Sequence, residues 1–180
     1  NVGLSFDSAG THDCPTGTLL AGIYKSNGND LNNIETFWCA TLSSPPAPPP
    51  LSETLVGDCR AGGYGGDWWG LFDNANWAQC DEGYALAGLT RNSNSGLNNL
   101  EEGTCCSVYA LTTSSNCAGV DISSSFDNAG WAKCPIGKIL TGMRRSANDN
   151  GNLIHVEELM CCEPGGATVA SYAEHDVMYS

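Results

Sequence analysis

Three stretches concentrate the side chains best suited to hold a ligand: SNGNDLNN at 26–33, NSNSGLNN at 92–99 and SANDNGN at 146–152. Asn, Asp and Ser supply adaptable hydrogen-bonding groups that suit sugar hydroxyls, and oxygen ligands that suit calcium. The candidate binding residues within them are Asn27, Asn29, Asp30, Asn92, Asn94, Asn148, Asp149 and Asn150. The same residue types make tight turns between strands, which is the simpler reading of all three stretches. The EF-hand spacing is not met, so calcium has only the residue types in its favour, and no cofactor is expected. Trp68 and Trp69 stand together in the Gly-rich segment GGYGGDWWG at 62–70. Adjacent indoles there can stack on a sugar ring or bury in an interface.

Catalytic chemistry has little to work with. GxSxG is absent, and His12, His155 and His175 occupy unrelated places in the chain, so a Ser-His-Asp set would have to assemble by accident. Glu101–Glu102 and Glu157–Glu158 are sequence neighbours. Neighbours on a strand point to opposite faces, so neither pair is expected to form an acid–base dyad. The chain reads as non-enzymatic. With 20 acidic and seven basic residues, its net charge is −13. That argues against a nucleic-acid partner, which needs Lys and Arg to displace counterions. No apolar run is long enough to span a bilayer as a helix.

The elements that would position these residues come in three copies. They read FDSAGTHDCPTGTLLAGIYKSNGNDLNNIETFWCA from Phe6, FDNANWAQCDEGYALAGLTRNSNSGLNNLEEGTCCS from Phe72 and FDNAGWAKCPIGKILTGMRRSANDNGNLIHVEELMCCE from Phe126. Phe to the first Cys is eight residues in each, and that Cys to the aligned Glu is 21, 21 and 23. TLLAGIY, YALAGLT and KILTGMR are short apolar runs between turn signals, which predicts strands. Their central glycines, Gly22, Gly88 and Gly142, predict a bulge or a close backbone approach. Trp77 and Trp131 align with each other and are expected in the core. The aligned Glu35, Glu101 and Glu157 are expected to accept backbone hydrogen bonds. The fold expected is all-β, with three internal repeats in a pseudo-threefold arrangement stapled by disulfides.

Ten cysteines point to an oxidising compartment, because the cytosol keeps thiols reduced. Copies two and three close on Cys105-Cys106 and Cys161-Cys162 and carry an upstream cysteine, Cys59 and Cys117; copy one closes on Cys39-Ala40 and has none upstream. Joint loss is what a bonded pair shows, since a lone partner would be a free thiol. The expected bonds are therefore Cys59–Cys106 and Cys117–Cys162, with Cys14–Cys39, Cys80–Cys105 and Cys134–Cys161 inside each copy. Bridging between copies stays open as a rival. Each bridge is worth roughly 3–4 kcal/mol for loops of about 25 to 50 residues, which offsets the small core of a single copy.

CPTGTLLAGIY…LNNIETFWC and CPIGKILTGMR…IHVEELMCC resemble the repeats of the vitelline membrane outer layer protein family, which implies a three-sided β-prism with one sheet per repeat. WAKCPIGKILTGMRRS with its closing LMCC is similar to dermatopontin. Both resemblances imply a secreted, disulfide-linked, non-enzymatic protein of extracellular coats or matrices.

The chain divides into repeat 1 (1–42), a Pro-rich strap SSPPAPPPLS at 43–52, repeat 2 (53–110), repeat 3 (111–164) and a tail at 165–180. The strap favours extended polyproline II and, in a secreted protein, is a place for O-glycosylation. Asn1 reads as a mature terminus left by a removed signal peptide. The tail has no cysteine and little apolar content, so alone it should fray. TVASY can add a strand to a sheet edge, either of its own domain or of the next subunit. Four of the seven basic residues, Lys133, Lys138, Arg144 and Arg145, lie in copy three, while residues 51–110 carry eight acids against Arg60 and Arg91, an asymmetry that suits head-to-tail contacts between copies of the chain. The leading expectation is a secreted structural or adhesion protein that self-assembles into a filament, coat or matrix. The alternative is a soluble lectin binding carbohydrate through the Asn/Gly loops.

Overall fold

The structure is a computed structural model and describes residues 6–44, 55–71, 73–109, 111, 116–146 and 151–177. Its strands are β1 (Gly10–Asp13), β2 (Thr18–Lys25), β3 (Ile34–Ser43), β4 (Val56–Ala61), β5 (Asn76–Gln79), β6 (Tyr84–Arg91), β7 (Leu100–Val108), β8 (Ala118–Asp121), β9 (Gly130–Lys133), β10 (Ile139–Arg145), β11 (Val156–Cys162) and β12 (Thr168–Asp176). A single helical turn, α1 (Ser123–Phe126), precedes β9. The strands form three antiparallel four-stranded sheets, ordered β12-β3-β2-β9, β1-β6-β7-β4 and β5-β10-β11-β8. The all-β, three-sheet expectation holds.

Each repeat supplies a short strand, a long strand, a 3-10 turn and a second long strand. The two long strands of a repeat pair with each other. The short strand crosses to the next repeat's sheet: β1 pairs with β6, β5 with β10, and β9 returns to β2. The exchange is cyclic, so no sheet is the product of one repeat alone. Gly22, Gly88 and Gly142 explain how the incoming strand fits. A Cβ on Gly22 would lie 2.7 Å from Lys133 Cγ and 2.8 Å from the Ala132 carbonyl oxygen, and one on Gly142 would lie 2.6 Å from the Ala78 carbonyl oxygen. The register also slips beside each of these glycines, between Leu20 and Gly22, Leu86 and Gly88, and Leu140 and Gly142. Both consequences expected of the glycines, bulge and close approach, are present.

All five expected disulfides form. The three with the shorter separations in sequence join different sheets. Cys14 follows β1, which is seated on the second sheet, yet it bonds to Cys39 of β3 in the first. Cys80–Cys105 and Cys134–Cys161 repeat this link between sheets. Cys59–Cys106 and Cys117–Cys162 instead join neighbouring strands of one sheet, with Cα atoms 3.9 and 4.0 Å apart. The two members of each doublet face opposite ways, as strand geometry requires. Cys105 and Cys161 enter one buried cluster with Phe37, Trp68 and Leu159. Cys106 and Cys162 enter another with Leu19, Ala40, Ala85 and Ile139.

The fourth strand of each sheet accounts for the missing doublet of copy one. In copies two and three it comes from just upstream of the repeat, as β4 and β8, and carries Cys59 or is preceded by Cys117. Copy one takes its fourth strand from the far end of the chain. β12 lies antiparallel on β3 from Thr168 opposite Ser43 to Asp176 opposite Thr36. Residues 168–176 of the tail thus pair within their own chain.

Candidate functional site

The ligand-binding stretches meet at one end of the molecule. Leu31, Leu97 and Leu153 open the three 3-10 turns and are buried. The Leu31 N–H donates to the Ser95 carbonyl at 2.6 Å, the Leu97 N–H to the Gly151 carbonyl, and the Leu153 N–H to the Asn29 carbonyl at 2.6 Å. These three bonds close a ring from repeat 1 to 2, 2 to 3 and 3 to 1. Each loop base is tied again by a matching backbone bond, from Ser26, Asn92 and Ser146 to the carbonyls of Asn33, Asn99 and His155.

Several polar side chains at the loop bases make local bonds that support this closure. The Asn33 side chain accepts from the Asp30 N–H at 3.2 Å, and Asn92 Oδ1 accepts from the Asn94 N–H at 3.1 Å. Glu35 and Glu101 accept from side chains, the Ser26 hydroxyl and the Asn92 amide, rather than from the backbone donors expected. Asn27, Asn29 and Asp30 are exposed, as is Asn94. Asn148, Asp149 and Asn150 lie outside the described residues, as does most of the proline strap. Among the described residues no group of three or more His, Cys, Asp or Glu is placed to hold a metal ion.

Beneath the ring lie cations that the sequence reading passed over. Lys25, Arg91 and Arg145 occupy one aligned position, and all three are buried. Lys25 Nζ reaches the Asn128 carbonyl at 3.3 Å, and its pKa is lowered by desolvation, with Asp127 opposing. Arg91 donates to the Phe6 carbonyl and, at 2.9 Å, to the Asn94 carbonyl. Burial lowers its pKa as well, against the pull of Asp7 and Asp30. In both cases a buried cation of one repeat holds the Phe-Asp turn of another. A basic residue directly after each apolar run was the available signal. The positive charge that copy three presents at its surface is therefore smaller than its four basic residues suggest. Arg145 is buried, Arg144 is paired with Glu158 at 2.5 Å, and Lys133 Nζ sits 4.0 Å from the ring centres of both Trp38 and Trp131. Trp77 and Trp131 are half-buried rather than in the core, because their short strands lie at sheet edges.

The two adjacent tryptophans part company. Trp68 is fully buried and unavailable to a ligand, which corrects its place among the binding candidates. The reason is Gly103. Phe37 and Leu159 fill the aligned core position in the other copies, and Gly103 leaves it empty. A Cβ there would lie 2.8 Å from the Trp68 ring. The indole refills the space, its Nε1 donates to the Gly65 carbonyl at 3.1 Å, and its backbone N–H donates to the Glu101 carbonyl at 2.9 Å. Gly62, Gly65 and Gly70 have φ of 65°, 81° and 78°, so the segment needs glycine to turn back on β7.

Trp69, thrown outward by the anchoring of Trp68, is 78% exposed. It borders an open cleft of about 560 Å³ shared with Arg60, Asp67, Asn92, Glu101 and Glu102. Both adjacent glutamates reach the cleft, which overturns the expectation that they face apart. Arg91 pairs with Leu100 and Thr90 with Glu102, so Glu101 is an extra residue in the strand and alternation fails there. The Glu101 pKa is raised by burial first, then by Asp73, Glu102 and Asp67 against the Asn92 hydrogen bond.

The other distinctive surface is the seat of β12. Trp38 and Tyr172 stack with ring centres 4.0 Å apart and planes 14° apart. The Gly137 N–H donates to Tyr172 Oη at 2.7 Å, and that hydroxyl donates to the Lys138 carbonyl at 3.3 Å. Burial raises the Tyr172 pKa, with the two backbone contacts opposing. Either side of this stack most of β12 is exposed, and backbone bonds fasten the chain just past its C-terminal end. The Val177 N–H donates to the Glu35 carbonyl at 2.8 Å, and the Phe6 N–H to the Val177 carbonyl at 2.7 Å.

Comparison with family models, with curated proteins and with solved structures gives no match. Five disulfides in a chain of this size mark a protein of an oxidising environment.

Proposed function

We propose that this chain is a secreted, non-catalytic subunit of an extracellular assembly, and that β12 is the connector between copies. In this reading β12 leaves its own β3 and pairs with β3 of the next copy, as peptides do when they add a strand to an open sheet edge. The observation that carries the proposal is the unequal fastening of the three fourth strands. β4 is bonded to its neighbour through Cys59–Cys106 and β8 through Cys117–Cys162, whereas β12 meets Ala40 with Tyr172. Two strands are held covalently, and the strand next to the chain's end is held by pairing, one aromatic stack and its end contacts.

Several features fit. β12 follows Pro164, Gly165 and Gly166, a turn that can redirect the strand without disturbing β11. A strand passed in one direction from copy to copy makes a head-to-tail contact, which propagates into a filament when the rotation does not close. The likeness of the Cys-Pro-x-Gly frame to coat and matrix proteins favours the same class. Sedimentation across a concentration series tests the reading. The full chain should associate with rising concentration, and a chain lacking residues 165–180 should not. Association unchanged by that deletion would overturn the connector role.

A further inference from the structure

The cleft beside Trp69 belongs to copy two alone, because the segment that builds it has no counterpart in the other copies. We propose that this cleft binds an amino-sugar oligosaccharide, with a pyranose ring on Trp69 and an ammonium group among Asp67, Glu101 and Glu102.

The geometry supplies each part of such a site. An exposed indole is costly to leave in water, and its flat apolar face suits the C–H face of a pyranose, while the polar tip tolerates a wet rim. Trp69 is held there by structure. Its backbone N–H donates to Asp67 Oδ1 at 3.3 Å, and the buried Trp68 fixes the preceding residue. The volume, about 560 Å³, lies within the range of small-ligand sites, and the polar groups converge from three places in the chain. Arg60 comes from β4, Asp67 from the Gly-rich segment, and Asn92, Glu101 and Glu102 from the base of the second loop and the start of β7. Asp67 and Glu102 are locked opposite one another by a β-bridge.

Charge chooses among sugars. Three carboxylates face one guanidinium, in a chain of net charge −13. Uronic and sialic acids would meet like charge, whereas an ammonium would meet opposite charge in a partly desolvated recess, where such contacts count for more than in open water. Burial raises the Glu101 pKa first, and the neighbouring carboxylates of Asp73, Glu102 and Asp67 raise it further.

The test is calorimetric titration of the full chain at pH 6 with three tetrasaccharide probes: glucosamine, its fully N-acetylated form, and galacturonic acid. The glucosamine tetramer should bind, and affinity should fall at least tenfold in Trp69→Ala and in Glu102→Gln. Trp69 is exposed, so its removal leaves the fold intact, and unchanged thermal unfolding checks that. Binding by the N-acetylated tetramer as tight as by glucosamine would overturn the ammonium assignment. Equal affinity in Trp69→Ala, tighter binding of galacturonate, or no heat from any probe at millimolar concentration would overturn the site.

Discussion

Tyr172 lies directly across the strand pair from Ala40, at the position where the second sheet sets Cys59 against Cys106 and the third sets Cys117 against Cys162. One sheet therefore closes with an aromatic side chain where its two siblings close with a covalent bond. The consequences for stability and assembly follow from that difference.

Backbone protection should be unequal among the fourth strands. β12 carries no disulfide and is exposed along most of its length, so its opening should cost less than that of β4 or β8. Hydrogen exchange should show the amides of Val169–Asp176 exchanging faster than those on β4 and β8. Equal protection would mean that the aromatic seat holds as firmly as a disulfide.

Alkaline pH should release β12. The Tyr172 hydroxyl titrates above the ordinary tyrosine value of 10.0 in the fold, so the folded state favours the neutral form. Its contribution is complete below about pH 10, where the unfolded chain also keeps its proton, and is lost as pH rises through the folded value. Near-ultraviolet dichroism from the Trp38–Tyr172 stack should fade in that window. Tyr172→Phe should lack the step while losing about 1 kcal/mol at neutral pH from the missing hydrogen bonds.

Trp68 should be worth more than Trp69 to the fold. Trp68→Ala empties the position beside Gly103 and should cost about 3–5 kcal/mol, whereas Trp69→Ala should change stability by less than about 0.5 kcal/mol. Chemical denaturation of the two variants checks this directly.

Gly88→Ala should be destabilising by about 1–3 kcal/mol, because its Cβ would press on the His12 carbonyl and the Asp13 side chain of the incoming β1. Thermal unfolding should show a clear loss. A neutral result would mean that β1 sits more loosely on β6 than its register implies.

Much of this architecture was legible in the chain. The eight-residue step from Phe to Cys and the central glycines mark the repeats and their strands, and the joint loss of two cysteines in copy one gives the disulfide pairing. What escaped are long-range substitutions. Nothing local to SYAEH says that it replaces an upstream strand, because the signal is an absence some 160 residues away. Gly103 in place of Phe37 and Leu159 was visible in the alignment, but its meaning depends on an indole delivered by a separate segment. The pairing of Glu101 with Glu102 at one cleft depends on a register slip that alternation alone does not announce.

If β12 connects copies because it lacks the disulfide that holds β4 and β8, supplying that disulfide should abolish assembly. The double variant Ala40→Cys, Tyr172→Cys copies the arrangement of the other two sheets and should form a sixth disulfide, seen as a mass loss of about 2 Da and a gain in stability on the order of 4 kcal/mol. Sedimentation of this oxidised variant beside the unmodified chain is the measurement. The unmodified chain should associate with rising concentration, and the locked one should stay a monomer. Association of the locked variant to the same extent, or an unmodified chain that stays monomeric at millimolar concentration, would contradict the connector role.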